Sequence, residues 1–124
     1  MKIRIYYEDS DAAGITYHAN YIKYCERARS EIFFNQGYKF TQNRHFVVTK
    51  IEAKFIKPSF IGDLLEVKSK ILELKKTSLT LKQEIFKDDE LIFQADIKVG
   101  FLVDKKPARM DKKLIEILNN FIQK

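Results

Sequence analysis

The stretch EDSDAAGITYHANY, residues 8–21, decides how the rest of the chain is read. It holds Glu8, Asp9 and Asp11, then an Ala-Ala-Gly turn, His18 and Asn20. Behind it the period of the apolar residues changes. Tyr21, Tyr24, Cys25, Ala28 and Ile32 fall at i, i+3/i+4 spacing, with Lys23, Glu26, Arg27 and Ser30 between them. That spacing puts an apolar stripe on an α-helix. The helix runs from about Ala19 for about four to five turns and ends near Gly37, with Asn20 as its candidate cap. Ahead of the stretch, Ile3, Ile5 and Tyr7 alternate with Lys2, Arg4 and Tyr6, which predicts a half-buried strand over 2–8. A carboxylate loop leading into a helix start places a base beside unpaired N–H groups and the positive end of the helix dipole.

Downstream the period is two. Val47, Thr49, Ile51, Ala53 and Phe55 alternate with Lys50, Glu52 and Lys54 over 46–56. Leu65, Val67 and Ile71 alternate over 64–74, Leu79, Leu81 and Ile85 over 78–87, and every second residue from Leu91 to Val103 over 91–103. Each run predicts a strand with one apolar face. Lys57-Pro58-Ser59 and Gly62-Asp63 separate the first two runs, Lys75-Lys76-Thr77 is a tight connection, and Asp88-Asp89 is a hairpin turn. Pro107 ends the last strand, and residues 111–123 predict a short amphipathic C-terminal helix through Leu114, Ile115, Leu118 and Ile122. Four consecutive strands on short connections predict antiparallel neighbours. Their apolar faces need cover, and the one long element that supplies it is the helix after residues 8–21. The predicted fold is α+β, a curved antiparallel sheet wrapped around one long central helix, in a single domain over 1–124. The sheet keeps two edges, and pairing with a second copy protects them, so a homodimer is expected.

The totals agree with a folded globule. The 124 residues are 45% hydrophobic, with 10 Phe and 6 Tyr, which suffices for a core. No apolar run approaches the ~18 residues of a membrane span, and the N-terminus lacks the apolar centre of a signal peptide, so a cytoplasmic location is expected. A single cysteine, Cys25, excludes an intrachain disulfide and a CxxC metal site. The net charge of +6 is spread over lysines that alternate with apolar residues, the pattern of a solvated sheet face. It also suits an anionic ligand or acidic partner; nucleic acid is not favoured, because no binding motif accompanies the charge.

The chemistry-bearing residues are few. Asp9, Ser10 and Asp11 read as solvated turn formers, or Asp11 reads as a base or nucleophile held near the helix start. A substrate carbonyl aimed at the helix N–H groups gains about 3–4 kcal/mol per well-placed donor as it becomes an oxyanion. His18 either caps the helix or pairs with a nearby acid, hydrogen-bonds a substrate carbonyl, or lends its backbone N–H as that donor. Tyr7 either orients a carboxylate, lines a pocket or packs in the core. His45 reads as a loop residue, and Cys25 as a small buried hydrophobe. His18 and His45 have no matching ligands, so no metal site is expected.

The run YYEDSDAAGITYHANYIKYCERARSEIF resembles the opening motif of YbgC-type acyl-CoA thioesterases, relatives of 4-hydroxybenzoyl-CoA thioesterase with the hotdog fold. The pattern YEDTDAxGxVYHxNYxxxxExAR is met at Tyr7, Glu8, Asp9, Asp11, Ala12, Gly14, Tyr17, His18, Asn20, Tyr21, Glu26, Ala28 and Arg29. Ser10 and Thr16 stand where Thr and Val are usual, without expected effect on chemistry. The resemblance implies hydrolysis of an acyl-CoA thioester to free coenzyme A and a carboxylic acid, with no cofactor beyond the coenzyme A of the substrate. It places the catalytic aspartate at Asp11, the oxyanion donor at the His18 amide, and further site side chains at Tyr7 and His18. Tyr17 is a candidate substrate contact, and Lys57, Ser59, Lys75 and Lys76 are candidates for the coenzyme A phosphates. It also implies sites at a dimer interface and a tetramer built as a dimer of dimers. Acyl carrier protein and phospholipid-synthesis enzymes are the other candidate partners. A non-catalytic acyl-CoA-binding or scaffold protein and a hotdog dehydratase are the alternative readings.

Overall fold

A computed structural model describes residues 1–122. The elements are β1 (Lys2–Arg4), α1 (Ala19–Phe34), β2 (Arg44–Phe55), β3 (Leu64–Leu74), β4 (Ser78–Lys87), β5 (Glu90–Val103), β6 (Lys106–Pro107) and α2 (Lys112–Ile122). Gln123, the last residue of the predicted C-terminal helix, lies outside the described residues. The sheet is antiparallel in the order β1-β3-β4-β5-β2, with β6 folded back on β5, and it curls around α1 as a half-barrel. This is the hotdog fold.

The helix forms where the period predicts it and buries Tyr21, Tyr24, Cys25 and Ala28 of the predicted stripe, while Ile32 is only half-buried and Phe33 is buried beside it. It ends in a Schellman motif. The Tyr38 N–H donates to the Phe33 carbonyl (3.1 Å) and the Gly37 N–H to that of Phe34 (2.9 Å), with Gly37 at φ +75°. The rings of Phe33 and Tyr38 meet across the motif at 6.5 Å. Opposite the stripe stand the inward residues of β4 and β5, among them Leu79, Leu81, Ile85, Phe93, Ile97 and Phe101, all essentially buried. Each such side chain contributes about 1.5–3 kcal/mol on removal from water. One inward position is polar. Gln83 is fully buried, donates to the Cys25 carbonyl (2.8 Å) and Ser69 Oγ (3.0 Å), and accepts from Arg29 (3.3 Å). A buried carboxamide bonded to both helix and sheet fixes how α1 lies on the sheet.

Four expectations are corrected. The strands are not all neighbours in chain order: β2 pairs with β5 at one edge, while β3 lies beyond β4. Residues 56–63 therefore cross three strand spacings, about 14 Å, which eight extended residues span with room to spare. Within β2, Val47 and Thr49 do not face the core. A bulge between Val48 and Lys50 shifts the register, so Phe46 and Val48 share the inward face with Ile51, Ala53 and Phe55. Pro107 does not simply end β5; Asp104 and Lys105, both at positive φ, turn the chain into β6. The first strand stops at Arg4, and Tyr7, 83% exposed, opens a 3-10 turn over Tyr7–Asp9 rather than facing the core.

Candidate active site

The loop between β1 and α1 is pinned at many points. Asp11 N–H donates to the Ile15 carbonyl (2.8 Å), Gly14 N–H donates back to the Asp11 carbonyl (3.0 Å), and Ser10 bridges to Thr16. Gly14 takes φ +79°, which an L side chain rarely adopts. The Asp11 carboxylate closes this turn with one oxygen: Oδ1 accepts from the N–H groups of Ala13 (2.9 Å) and Ile15 (3.3 Å). No hydrogen bond among the described residues reaches Oδ2, and Asp11 is exposed. One oxygen is thus fixed by the backbone while the other is available.

The same loop is clamped to the start of α1. The Asp9 carbonyl accepts from the Tyr17 N–H (2.9 Å) and from the Asn20 side-chain amide (2.8 Å). Asn20 is therefore not the cap. His18 holds that position, with no side-chain hydrogen bond to the helix, and Asn20 reaches back to the loop instead. The N–H groups of His18 and Ala19 find no acceptor among the described residues, as befits a helix N-terminus. The His18 ring packs edgewise on Tyr17 (4.6 Å) and Phe55 (5.9 Å), so the helix start sits beside the end of β2. Tyr17 is 48% exposed at this mouth. The Tyr7 phenol forms no hydrogen bond with Asp11 or His18 within the chain. Tyr24 lies buried beneath the loop, and burial first, then the nearby Asp9 carboxylate, raises its pKa. That carboxylate lies outside hydrogen-bond geometry, leaving the phenol oxygen without a partner among the described residues.

The four candidate phosphate contacts separate. Ser59 is fully buried, and its hydroxyl is bonded to Thr16 and Tyr21, so it offers nothing to a phosphate at the surface; that expectation is corrected. Lys57 begins the crossover at the Asp11 end of the sheet and pairs with Glu90 (2.6 Å). Lys75 and Lys76 occupy the β3–β4 turn at the opposite end, where Lys75 pairs with Glu73 (3.2 Å). The 10 residues of β4 separate the two ends, about 33 Å at strand rise. Within one chain, Lys75 and Lys76 therefore do not share a site with Asp11.

A cavity of about 370 Å³ lies between the second half of α1 and the first half of β2. Phe33, Phe34, Phe40 and Phe46 give it an aromatic wall, and Glu26, Arg29, Ser30 and His45 supply polar groups. His45 is thus a half-buried strand residue, not a loop residue. The sequence hid it because the alternation predicted the strand only from 46, whereas β2 begins two residues earlier, at Arg44. Burial lowers the pKa of Arg29, whose guanidinium has Gln83 as its hydrogen-bond partner. Cys25, fully buried on the core side of α1, has its thiol pushed up to about 12 by burial, which keeps it a protonated core side chain.

A half-barrel around one helix, with a carboxylate loop clamped to that helix's open end, defines a class. The thioesterase superfamily profile matches residues 13–93, and the chain belongs to that family of hotdog thioesterases. It is similar to the acyl-CoA thioesterase YbgC of Helicobacter pylori, with 41% identity over 96% of this chain and 98% of the relative. It is also similar to the acyl-CoA thioester hydrolase YbgC of Escherichia coli, with 32% identity over 91% of this chain and 90% of that protein. Among solved structures, a protein of Aquifex aeolicus superposes with TM-score 0.88 at 27% identity, covering 95% of this chain and 97% of its own.

Proposed function

We propose that this thioesterase hydrolyses acyl-CoA thioesters, with Asp11 as base or nucleophile and the His18 N–H as oxyanion donor. The observation that carries the reading is the clamp of the Asp11 loop onto the open start of α1: the loop carries a carboxylate with one unbonded oxygen, and the helix start it is tied to has two unpaired N–H groups. As a base, Asp11 takes a proton from water while the water oxygen bonds to the thioester carbon. The carbonyl oxygen becomes an oxyanion against the His18 and Ala19 amides. Collapse breaks the C–S bond, releasing the coenzyme A thiolate, which is protonated, and a carboxylic acid. As a nucleophile, Asp11 displaces the thiolate itself, and water then opens the resulting anhydride. Coenzyme A enters as part of the substrate, and no step draws on another cofactor.

The working unit is a homodimer. Three residues on the inner face of the edge strand β2, Val48, Ile51 and Phe55, remain 42%, 38% and 49% exposed. An antiparallel pairing of β2 with its own copy sets the Phe55 end of one protomer against the Arg44 end of the other. The far end of one chain, with Lys75, Lys76 and the aromatic cavity, then faces the Asp11 end of its mate. That removes the separation of about 33 Å seen within one chain. Assembly of dimers into a tetramer rests on the family resemblance alone, as do contacts with acyl carrier protein.

The test is release of free thiol from a panel of acyl-CoAs of rising chain length, including an aromatic thioester, by wild type and by Asp11→Asn. The variant should stay folded and lose about 10²–10⁴-fold in kcat. Wild-type turnover by Asp11→Asn would sink the assignment. Single turnover in labelled water separates the two roles, since nucleophilic attack puts label into Asp11 first.

A further inference from the structure

Beneath the Asp11 loop, three hydroxyl groups meet in the interior. Ser59 Oγ lies 2.6 Å from Thr16 Oγ1 and 2.8 Å from the Tyr21 hydroxyl, each pair sharing one hydrogen bond. Ser59 is 0% exposed, Tyr21 3% and Thr16 4%, so water does not compete for these bonds. Each hydroxyl belongs to a different segment. Thr16 ends the loop that carries Asp11, Tyr21 lies in the first turn of α1 just past His18, and Ser59 is the middle of the crossover from β2 to β3. The backbone repeats the link: the Thr16 N–H donates to the Ser59 carbonyl (2.8 Å), and Ile15 bridges to Phe60. A turn former would sit at the surface, and a core filler would be apolar.

We propose that Ser59 is a positioning residue. Bonded to both Thr16 and Tyr21, it sets the distance between the Asp11 carboxylate and the oxyanion donors of α1. The inference rests on the catalytic reading of Asp11 and His18. Ser59 touches no substrate, so its loss moves the reacting groups apart without removing any of them. A displacement of about 1 Å at the reacting centre costs up to about a hundredfold in rate. The hydroxyl at position 16, where the family pattern has Val, is part of this support.

The experiment measures kcat and KM for one acyl-CoA with wild type, Ser59→Ala and Tyr21→Phe, with folding checked by circular dichroism. Ser59→Ala should lower kcat about tenfold or more and leave KM within about twofold. Tyr21→Phe should act in the same direction, and the pair together should cost no more than Ser59→Ala alone, because the chain is cut once. In an Asp11→Asn background, Ser59→Ala should cost nothing further in residual rate. A folded Ser59→Ala with wild-type kcat overturns the proposal, as does a loss confined to KM or one that persists unchanged without Asp11. If Ser59→Ala does not fold, Tyr21→Phe decides on the same criteria. A wild type that releases no thiol defeats the catalytic reading itself, whereas a wild type that turns over beside an equally fast Ser59→Ala defeats only the positioning role.

Discussion

At the scale of the residue, His18 divides into two parts. Its N–H points from the open end of α1, while its ring packs against Tyr17 and Phe55. The two parts are separable by substitution. His18→Ala keeps the amide and should retain most of kcat if the backbone carries the oxyanion. His18→Pro removes the amide, and the φ of −57° at this position already suits proline. That variant should lose about 10²–10³-fold in kcat with a comparable melting temperature. Steady-state kinetics of the two side by side make the comparison, and a collapse in His18→Ala equal to that in His18→Pro would show that the imidazole does the work. Thr16 and Ser59 sit among these residues as a reminder that a hydroxyl in a loop sequence carries no label. Their mutual contact across 43 residues exists only once the crossover has folded over the loop.

At the scale of the element, α2 is fastened by one carboxylate. Asp111 Oδ1 accepts from the Leu114 N–H (2.9 Å), which caps the helix. Its other oxygen accepts from the Tyr38 hydroxyl (2.6 Å) and the Arg44 guanidinium (3.1 Å). Partial burial pushes the Asp111 pKa up, but these bonds outweigh it and hold the group below its ordinary 3.8. The folded pKa is therefore the lower one. The stabilisation is complete above the unfolded value and is lost as pH falls through the folded one. Thermal melts of wild type and Asp111→Asn should differ most near neutral pH and converge below about pH 4; a gap that stays constant with pH would assign the effect to the cap alone. Elements of this kind were legible in the sequence to different degrees. The bounds of α1, β3 and β4 follow from period and from Gly37, because each has a continuous apolar face and a strong stop. The bulge at Thr49 was not legible: a bulge leaves the local alternation intact and only inverts which half of it faces the core. The partner of β2 was hidden for a similar reason, since local spacing says where strands lie along the chain but not which edge a crossover reaches. In the site, Asp11 and His18 stood out through their motif. The Ser59 contacts, the role of His45 and the outward turn of Tyr7 depend on pairings distant in sequence.

At the scale of the whole molecule, one edge of the sheet is short and the other long. β1 is a strand of 3 residues, while β2 runs for 12 with an exposed apolar face. An edge of that length is an invitation to pair. Ile51→Glu places a charge in the middle of it. On the proposed dimer, the variant should sediment as a monomer and lose turnover, because each site would then lack the far end of a second chain. An active monomer in sedimentation equilibrium would separate catalysis from assembly. The strand order also bears on the sequence of events in folding. β3, β4 and β5 are joined by tight turns and can close as local hairpins within microseconds, whereas β2 joins β5 only after residues 56–63 have travelled to the opposite edge. Ser59 rides on that travelling segment, and the Asp11 loop has nothing to lock onto until it arrives. The Asp11 end should consequently be the last region to assemble and the first to come loose. In mild denaturant, activity should vanish while the β3–β5 meander still gives its circular dichroism signal, so the enzyme would be switched off before it is unfolded.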